Sequence, residues 1–126
     1  MIIALDFDGT CCKHLHPSVG DEIDGCVDVL RELTEKGHEL ILWTCRDGYE
    51  LELAVQWFVK HKLELAAIQS NSPNIPYAGL VSRKIYAHLY IDDRGLGIPL
   101  TSTYPDEREH VDWHRCRELL KLKGYL

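Results

Sequence analysis

The sequence predicts an α/β fold: a central parallel sheet with helices on both faces, a three-layer sandwich formed by one domain over residues 1–126. Three observations lead there. Short apolar runs of strand length alternate with segments whose apolar residues recur every three or four positions. The runs are continuous and not alternating, which suits strands buried on both faces. And 126 residues suffice for one ordinary core, burying about two thirds of the unfolded surface. No linker, repeat or low-complexity tract divides the chain.

Residues 2–7 form the first apolar run and end in Asp6-Phe7-Asp8-Gly9-Thr10. Residues 11–20 hold Pro17, Ser18 and Gly20 and read as a loop. A helix is expected from about Asp21, with Ile23, Val27, Leu30 and Leu33 inward and Gly37 as its stop. A second buried strand follows over residues 40–44. Asp47 is placed to cap the next helix, whose apolar face is Leu51, Ala54, Val55 and Phe58. Residues 65–68 make a weaker third strand. Residues 69–83 contain Asn71, Pro73, Asn74, Pro76 and Gly79 and read as a long loop. The fourth strand is expected over residues 85–91, ending in Asp92-Asp93-Arg94. A short edge strand is expected near Ile98 to Leu100, and a helix over about 108–123 with Trp113, Cys116, Leu119 and Leu120 inward.

Composition narrows the function classes. Twenty acids face 14 bases, for a net charge of −6, which argues against a general nucleic-acid binder. No apolar run approaches the roughly 20 residues that span a bilayer, so no membrane partner is expected. The opening segment lacks a basic stretch and meets an acid at position 6, so it reads as a strand and not as a signal peptide. Five cysteines without paired spacing fit reduced thiols in a cytoplasmic setting.

The chemistry collects at strand ends. Asp6 and Asp8 end the first strand, Thr44 the second, Asp92 and Asp93 the fourth. In an open parallel sheet, ligands bind outside the carboxyl ends of the strands, so these residues should converge. Carboxylates held close repel, and a divalent cation relieves the repulsion; oxygen-only ligands favour Mg²⁺, which also takes a substrate phosphate oxygen. Thr44 and a Lys84 entering from the loop before the fourth strand would hold phosphate. Asp is a known nucleophile in phosphoryl transfer, and a second carboxylate two residues on can serve as acid and base. Gly9 permits a sharp turn that brings backbone N–H groups near the phosphate.

In these motifs the sequence resembles the haloacid-dehalogenase-like superfamily of Mg²⁺-dependent phosphohydrolases. Asp6-Phe7-Asp8-Gly9-Thr10 matches the first motif, Thr44 the second, Lys84 the third and Asp92-Asp93 the fourth, in family order across residues 2–94. One departure is Cys11-Cys12, where an aliphatic residue often follows the Thr. The resemblance implies a Rossmann-like core. It implies Asp6 as nucleophile and Mg²⁺ ligand, and Asp8 as general acid/base that ligates metal through its backbone carbonyl. Asp92 would hold the metal with Asp93 beside it, and Thr44 and Lys84 would grip the phosphoryl group. Members often carry a cap domain, and neither residues 11–20 nor 69–83 are long enough for one. A capless site is expected to act weakly and broadly on small phosphomonoesters, or to take its specificity from a large phosphorylated substrate or a second copy of the chain; in the last case Pro73, Asn74, Ile75, Pro76 and Tyr77 would do the selecting.

Each feature also has a plainer reading. A lone Asp at a strand end is usually a turn or helix cap; the ordered set carries the catalytic reading. His14 and His16 read as loop histidines. His110 and His114, one helical turn apart, lack the acidic partner of a zinc motif. Cys11 and Cys12 read as buried filler. Two rivals remain: a receiver-like module that accepts phosphate as a signal, and a metal-binding relative without catalysis. A receiver places its acceptor after the third strand, whereas here the Asp-x-Asp comes first and the double Asp last.

Overall fold

The computed structural model describes residues 1–77 and 79–126. Its main sheet has four parallel strands: β1 (Ile2–Leu5), β2 (Glu39–Leu42), β3 (Leu65–Ile68) and β4 (Leu89–Ile91), in the order β3-β2-β1-β4. Residues Ile3 of β1, Leu40 of β2 and Leu89 of β4 lie side by side, so the three strands end level with one another. Helices α1 (Cys26–Glu35), α2 (Gly48–Lys60) and α3 (Trp113–Leu122) complete the α/β architecture.

The strand alternation shows which face each helix covers. Ile3, Leu5, Leu40 and Leu42 belong to one core cluster with residues of all three helices, among them Leu30, Leu33, Phe58, Trp113 and Leu120. Phe7 anchors it at the site end, its ring edge-on to Trp57 at 5.7 Å. Ile2, Ala4 and Ile41 point the other way, into a smaller cluster closed by Ile75, Ile85, Tyr86 and Ala87. The helices therefore sit on one face, and irregular chain covers the second. This corrects the expected three-layer arrangement. Pro73 and Pro76 remove backbone donors that a helix would need, and Asn71 instead takes the Tyr86 N–H through its side chain.

Several boundaries also move. α1 starts at Cys26 and not near Asp21, because Glu22 pairs with Cys12 and Gly25 turns the chain at φ 79°. Gly37 stops it as expected, its N–H returning to Thr34. The fourth strand contracts to Leu89–Ile91. The expected edge strand becomes β5 (Leu100–Thr101), which pairs antiparallel with β6 (His110–Val111) in a separate hairpin. α3 accordingly starts at Trp113, capped by Asp112, whose carboxylate accepts the Arg115 N–H. Trp113, Cys116 and Leu120 are buried, but Leu119 is exposed. The loop expected at 69–83 is irregular throughout its described part; residue 78 lies outside the described residues. No helix of the described residues is long and apolar enough to cross a membrane.

Candidate active site

Because β1, β2 and β4 run parallel and end level, the residues just past them share one edge of the sheet. They line a cleft of about 570 Å³ that includes Asp6, Asp8, Thr44, Asp92 and Asp93. Five of the seven site residues expected from sequence thus converge in the cleft. Single oxygens of Asp6, Asp92 and Asp93 lie within 4.8 Å of one another.

Asp6 is a strongly perturbed carboxyl. Burial pushes its pKa up to about 7, against hydrogen bonds from the Phe7 N–H and the Thr10 hydroxyl; the charges of Asp92 and Asp93 raise it further. Burial raises Asp93 too. Thr10 links the two: its hydroxyl donates to Asp6 Oδ2 at 2.9 Å and accepts the Asp93 N–H at 3.1 Å. Carboxylate oxygens brought together in this way are the hard donors a divalent cation prefers, with water and phosphate oxygens to fill the rest of its shell. The donor set fits Mg²⁺, with Asp6, Asp92 and Asp93 as the candidate ligands.

Asp8, two residues from Asp6, has the opposite surroundings. Arg46 grips it with both ends of its guanidinium, Nε to Oδ2 and Nη2 to Oδ1, each at 2.7 Å. The same guanidinium donates to the carbonyls of Pro17, Ser18 and Glu50, and it lies 5.1 Å from the Phe7 ring centroid. Its side chain is 1% exposed. The Asp8 contact raises the Arg46 pKa still further. Thr44 completes this corner by accepting the Arg46 N–H at 3.2 Å, while the Gln69 side chain brackets the Thr44 backbone.

Two expectations need correction. Gly9 does adopt a left-handed turn, at φ +80°. Its N–H, however, is taken by the Cys12 carbonyl at 2.7 Å, so it is not turned to a phosphate. What the glycine provides is space: a Cβ there would lie 2.2 Å from His14 Nε2 and 2.7 Å from Asp93 Oδ2. Lys84 is not in the cleft at all. It is exposed, with its ammonium 5.2 Å from the Tyr90 ring centroid. The chain before β4 is irregular and does not aim residue 84 at the carboxyl ends of the strands.

The basic side chains beside the carboxylates come from elsewhere. His14 Nε2 lies 3.1 Å from Asp93 Oδ2, and an Arg108 guanidinium nitrogen 3.9 Å from the same oxygen. His16 and Arg94 also line the cleft. The remaining sequence candidates stay structural. His110 sits buried on β6, off the helix, and His114 meets Asp24 at 2.8 Å. Cys11 and Cys12 are buried; burial raises the Cys11 thiol and pushes Cys12 up to about 12, so neither is a ready thiolate.

No protein-family model and no curated protein matches the chain. Among solved structures, it is similar to a conserved protein from Bacteroides thetaiotaomicron. The two are 39% identical, with a TM-score of 0.79, over 98% of this chain and 91% of that one. Identity at that level over nearly the full length of both places them in one family, and this chain belongs to the family of that conserved protein.

Proposed function

We propose that the protein is a Mg²⁺-dependent phosphomonoester hydrolase of the haloacid-dehalogenase-like type, acting through an aspartyl-phosphate on Asp6. One observation carries this reading. Three carboxylates from two separate strands meet within 4.8 Å, and the first of them is held at a pKa of about 7 by burial and by its neighbours. A fold does not bring such charges together for stability, since they repel; perturbed carboxyls in a cleft mark chemistry.

In this reading Asp6, Asp92 and Asp93 hold the cation, which when bound lowers the charge repulsion between acid and phosphate. Asp6 attacks phosphorus with one oxygen while Thr10 holds the other. The leaving oxygen departs with its electron pair and takes a proton from solvent water in the cleft. Water then attacks the aspartyl-phosphate, releases phosphate and restores Asp6. Asp8 is the acid/base of the resemblance. Both of its oxygens are taken by Arg46, so it exchanges a proton with the leaving oxygen or the water only when that pair loosens. Thr44 supplies a hydroxyl at the phosphoryl end of the cleft. Lys84 has no part as the cleft stands, and Arg108 and the His14 imidazole are the basic side chains near the reacting carboxylates.

The test is phosphate release from p-nitrophenyl phosphate with Mg²⁺ and with EDTA. Turnover should require the metal and fall by several powers of ten in Asp6→Asn, as when a nucleophile is removed. Equal turnover by the native protein and Asp6→Asn sinks the mechanism. Mg²⁺ binding without any turnover favours the non-catalytic metal-binding reading.

A further inference from the structure

Arg46 and Arg108 both reach the cleft, but only Arg46 is spent. Its donors are shared among Asp8 and three carbonyls. Arg108 makes no hydrogen bond among the described residues. Its approach to Asp93, at 3.9 Å, is longer than a hydrogen bond, and its side chain is 54% exposed. A planar fork of five donors therefore stands at the cleft with almost all of its capacity unused.

Its position is nevertheless fixed. Arg108 lies in the loop between β5 and β6, and that hairpin is tied to the motif-bearing loop. The Val111 N–H donates to the Gly9 carbonyl at 2.8 Å. Lys13 bonds Glu107 at 2.7 Å and Thr103 at 2.9 Å, and the Thr103 N–H returns to Glu107 at 2.8 Å. The residue before Arg108 is thus pinned to the segment that follows Gly9. Arg108 meets the carboxylate cluster at Asp93 and not at Asp6, where a phosphoryl group would be transferred.

Among the described residues the cleft lining has no aliphatic side chain and no Phe, Tyr or Trp; apart from Thr44 and Cys45, every lining group is an Asp, His or Arg. A lipid tail would find nothing to lie against. Taking the phosphoryl-transfer reading as its basis, we propose that the substrate is a small phosphomonoester bearing a second anionic group, a carboxylate or another phosphate. Arg108 is the specificity residue that binds this second group. An arginine fork suits such a partner, since both carboxylate and phosphate accept it through two parallel bonds.

The experiment is calorimetric titration, with Mg²⁺, of two ligands that cannot be hydrolysed: propylphosphonate and phosphonopropionate. They have the same length and differ by a terminal carboxylate. The native protein should bind phosphonopropionate at least about tenfold more tightly. Arg108→Ala should erase that gap, and Arg108→Lys, a point charge without the fork, should keep part of it. Equal affinity for the two ligands in the native protein overturns the proposal while leaving the phosphoryl reading intact. So does a gap that survives Arg108→Ala, or a loss in that variant equal for both ligands, which assigns Arg108 to the phosphoryl itself. If neither ligand binds, both the phosphoryl reading and this proposal fall.

Discussion

Asp6 and Asp8 are two residues apart on one short loop, and the chain treats them in opposite ways. Asp8 has a buried guanidinium on both oxygens. Asp6 has two hydrogen bonds, two acidic neighbours and a pKa near 7. One carboxylate is satisfied by the fold, and the other is left in deficit. The difference separates a carboxylate held in an ion pair from one left free to meet a cation and a phosphoryl group. Stability favours paired charges, whereas a site that must accept a cation and a phosphate has to leave its acids unpaired until they arrive. Arg46 makes the contrast sharper, because it locks Asp8 while tying the carbonyls of Pro17, Ser18 and Glu50 around the cleft wall.

The strongest way to break this contrast is to remove Arg46. Arg46→Ala leaves a largely buried carboxylate alone and frees three carbonyls. Losing one partner of a buried pair typically removes about 3–5 kcal/mol, a large share of the roughly 5–15 kcal/mol that holds a domain. Urea unfolding should show that loss, and Arg46→Lys should restore only a fraction of it, because an ammonium cannot span both oxygens. A loss below about 1 kcal/mol would mean that Asp8 is no better satisfied than Asp6.

Asp6 should show the reverse sign. Its folded pKa is about 7 against an ordinary 3.8, so the folded state binds the extra proton between those values. In metal-free protein this contribution to stability is present at low pH and is lost as pH rises from about 4 to 7. Between pH 5 and pH 8, in EDTA, the native protein should lose about 2–3 kcal/mol more than Asp6→Asn. At pH 8 Asp6→Asn should be the more stable of the two. Added Mg²⁺ should stabilise the native protein more at pH 8 than at pH 5 and leave Asp6→Asn nearly unmoved. Parallel pH profiles for the two proteins would remove the deficit on which the comparison rests.

The smallest effect is expected at Lys84. An exposed lysine lying over Tyr90 contributes little, so Lys84→Ala should change stability by no more than about 0.5 kcal/mol. Turnover should change about twofold or less, well below the loss in Asp6→Asn. A hundredfold fall in turnover would put Lys84 back beside the phosphoryl group.

Much of the fold can be read from the sequence because its signals are local. The runs at residues 2–5, 39–42 and 65–68 are strands, and acids following two strands predict a shared edge. Gly37 stops α1 where its type suggests. What escapes is non-local. Arg46 follows Thr44 by two residues, and its partner is 38 positions away. Its one cue is an arginine near a strand end in a chain with an Asp-x-Asp, and such an arginine reads equally well as solvated. The β5–β6 hairpin escapes because two-residue strands show no periodicity, so Arg108 was assigned to the start of a helix. The second face of the sheet escapes because Ile75 and Ile85 cover it from irregular chain. Lys84 escapes because its place in the loop before the fourth strand, and motif order, do not fix the direction of a side chain.

The contrast between the two acids can be measured directly by following the side-chain carboxyl carbons of ¹³C-labelled aspartates through a pH titration, without and with Mg²⁺. Without metal, Asp6 should titrate near pH 7. With saturating Mg²⁺ its midpoint should fall by more than one unit, because a bound cation favours the ionised form. An Asp6 midpoint in the ordinary carboxylate range without metal, or one that Mg²⁺ leaves in place, would contradict the reading of this cluster as a cation-dependent phosphoryl-transfer site.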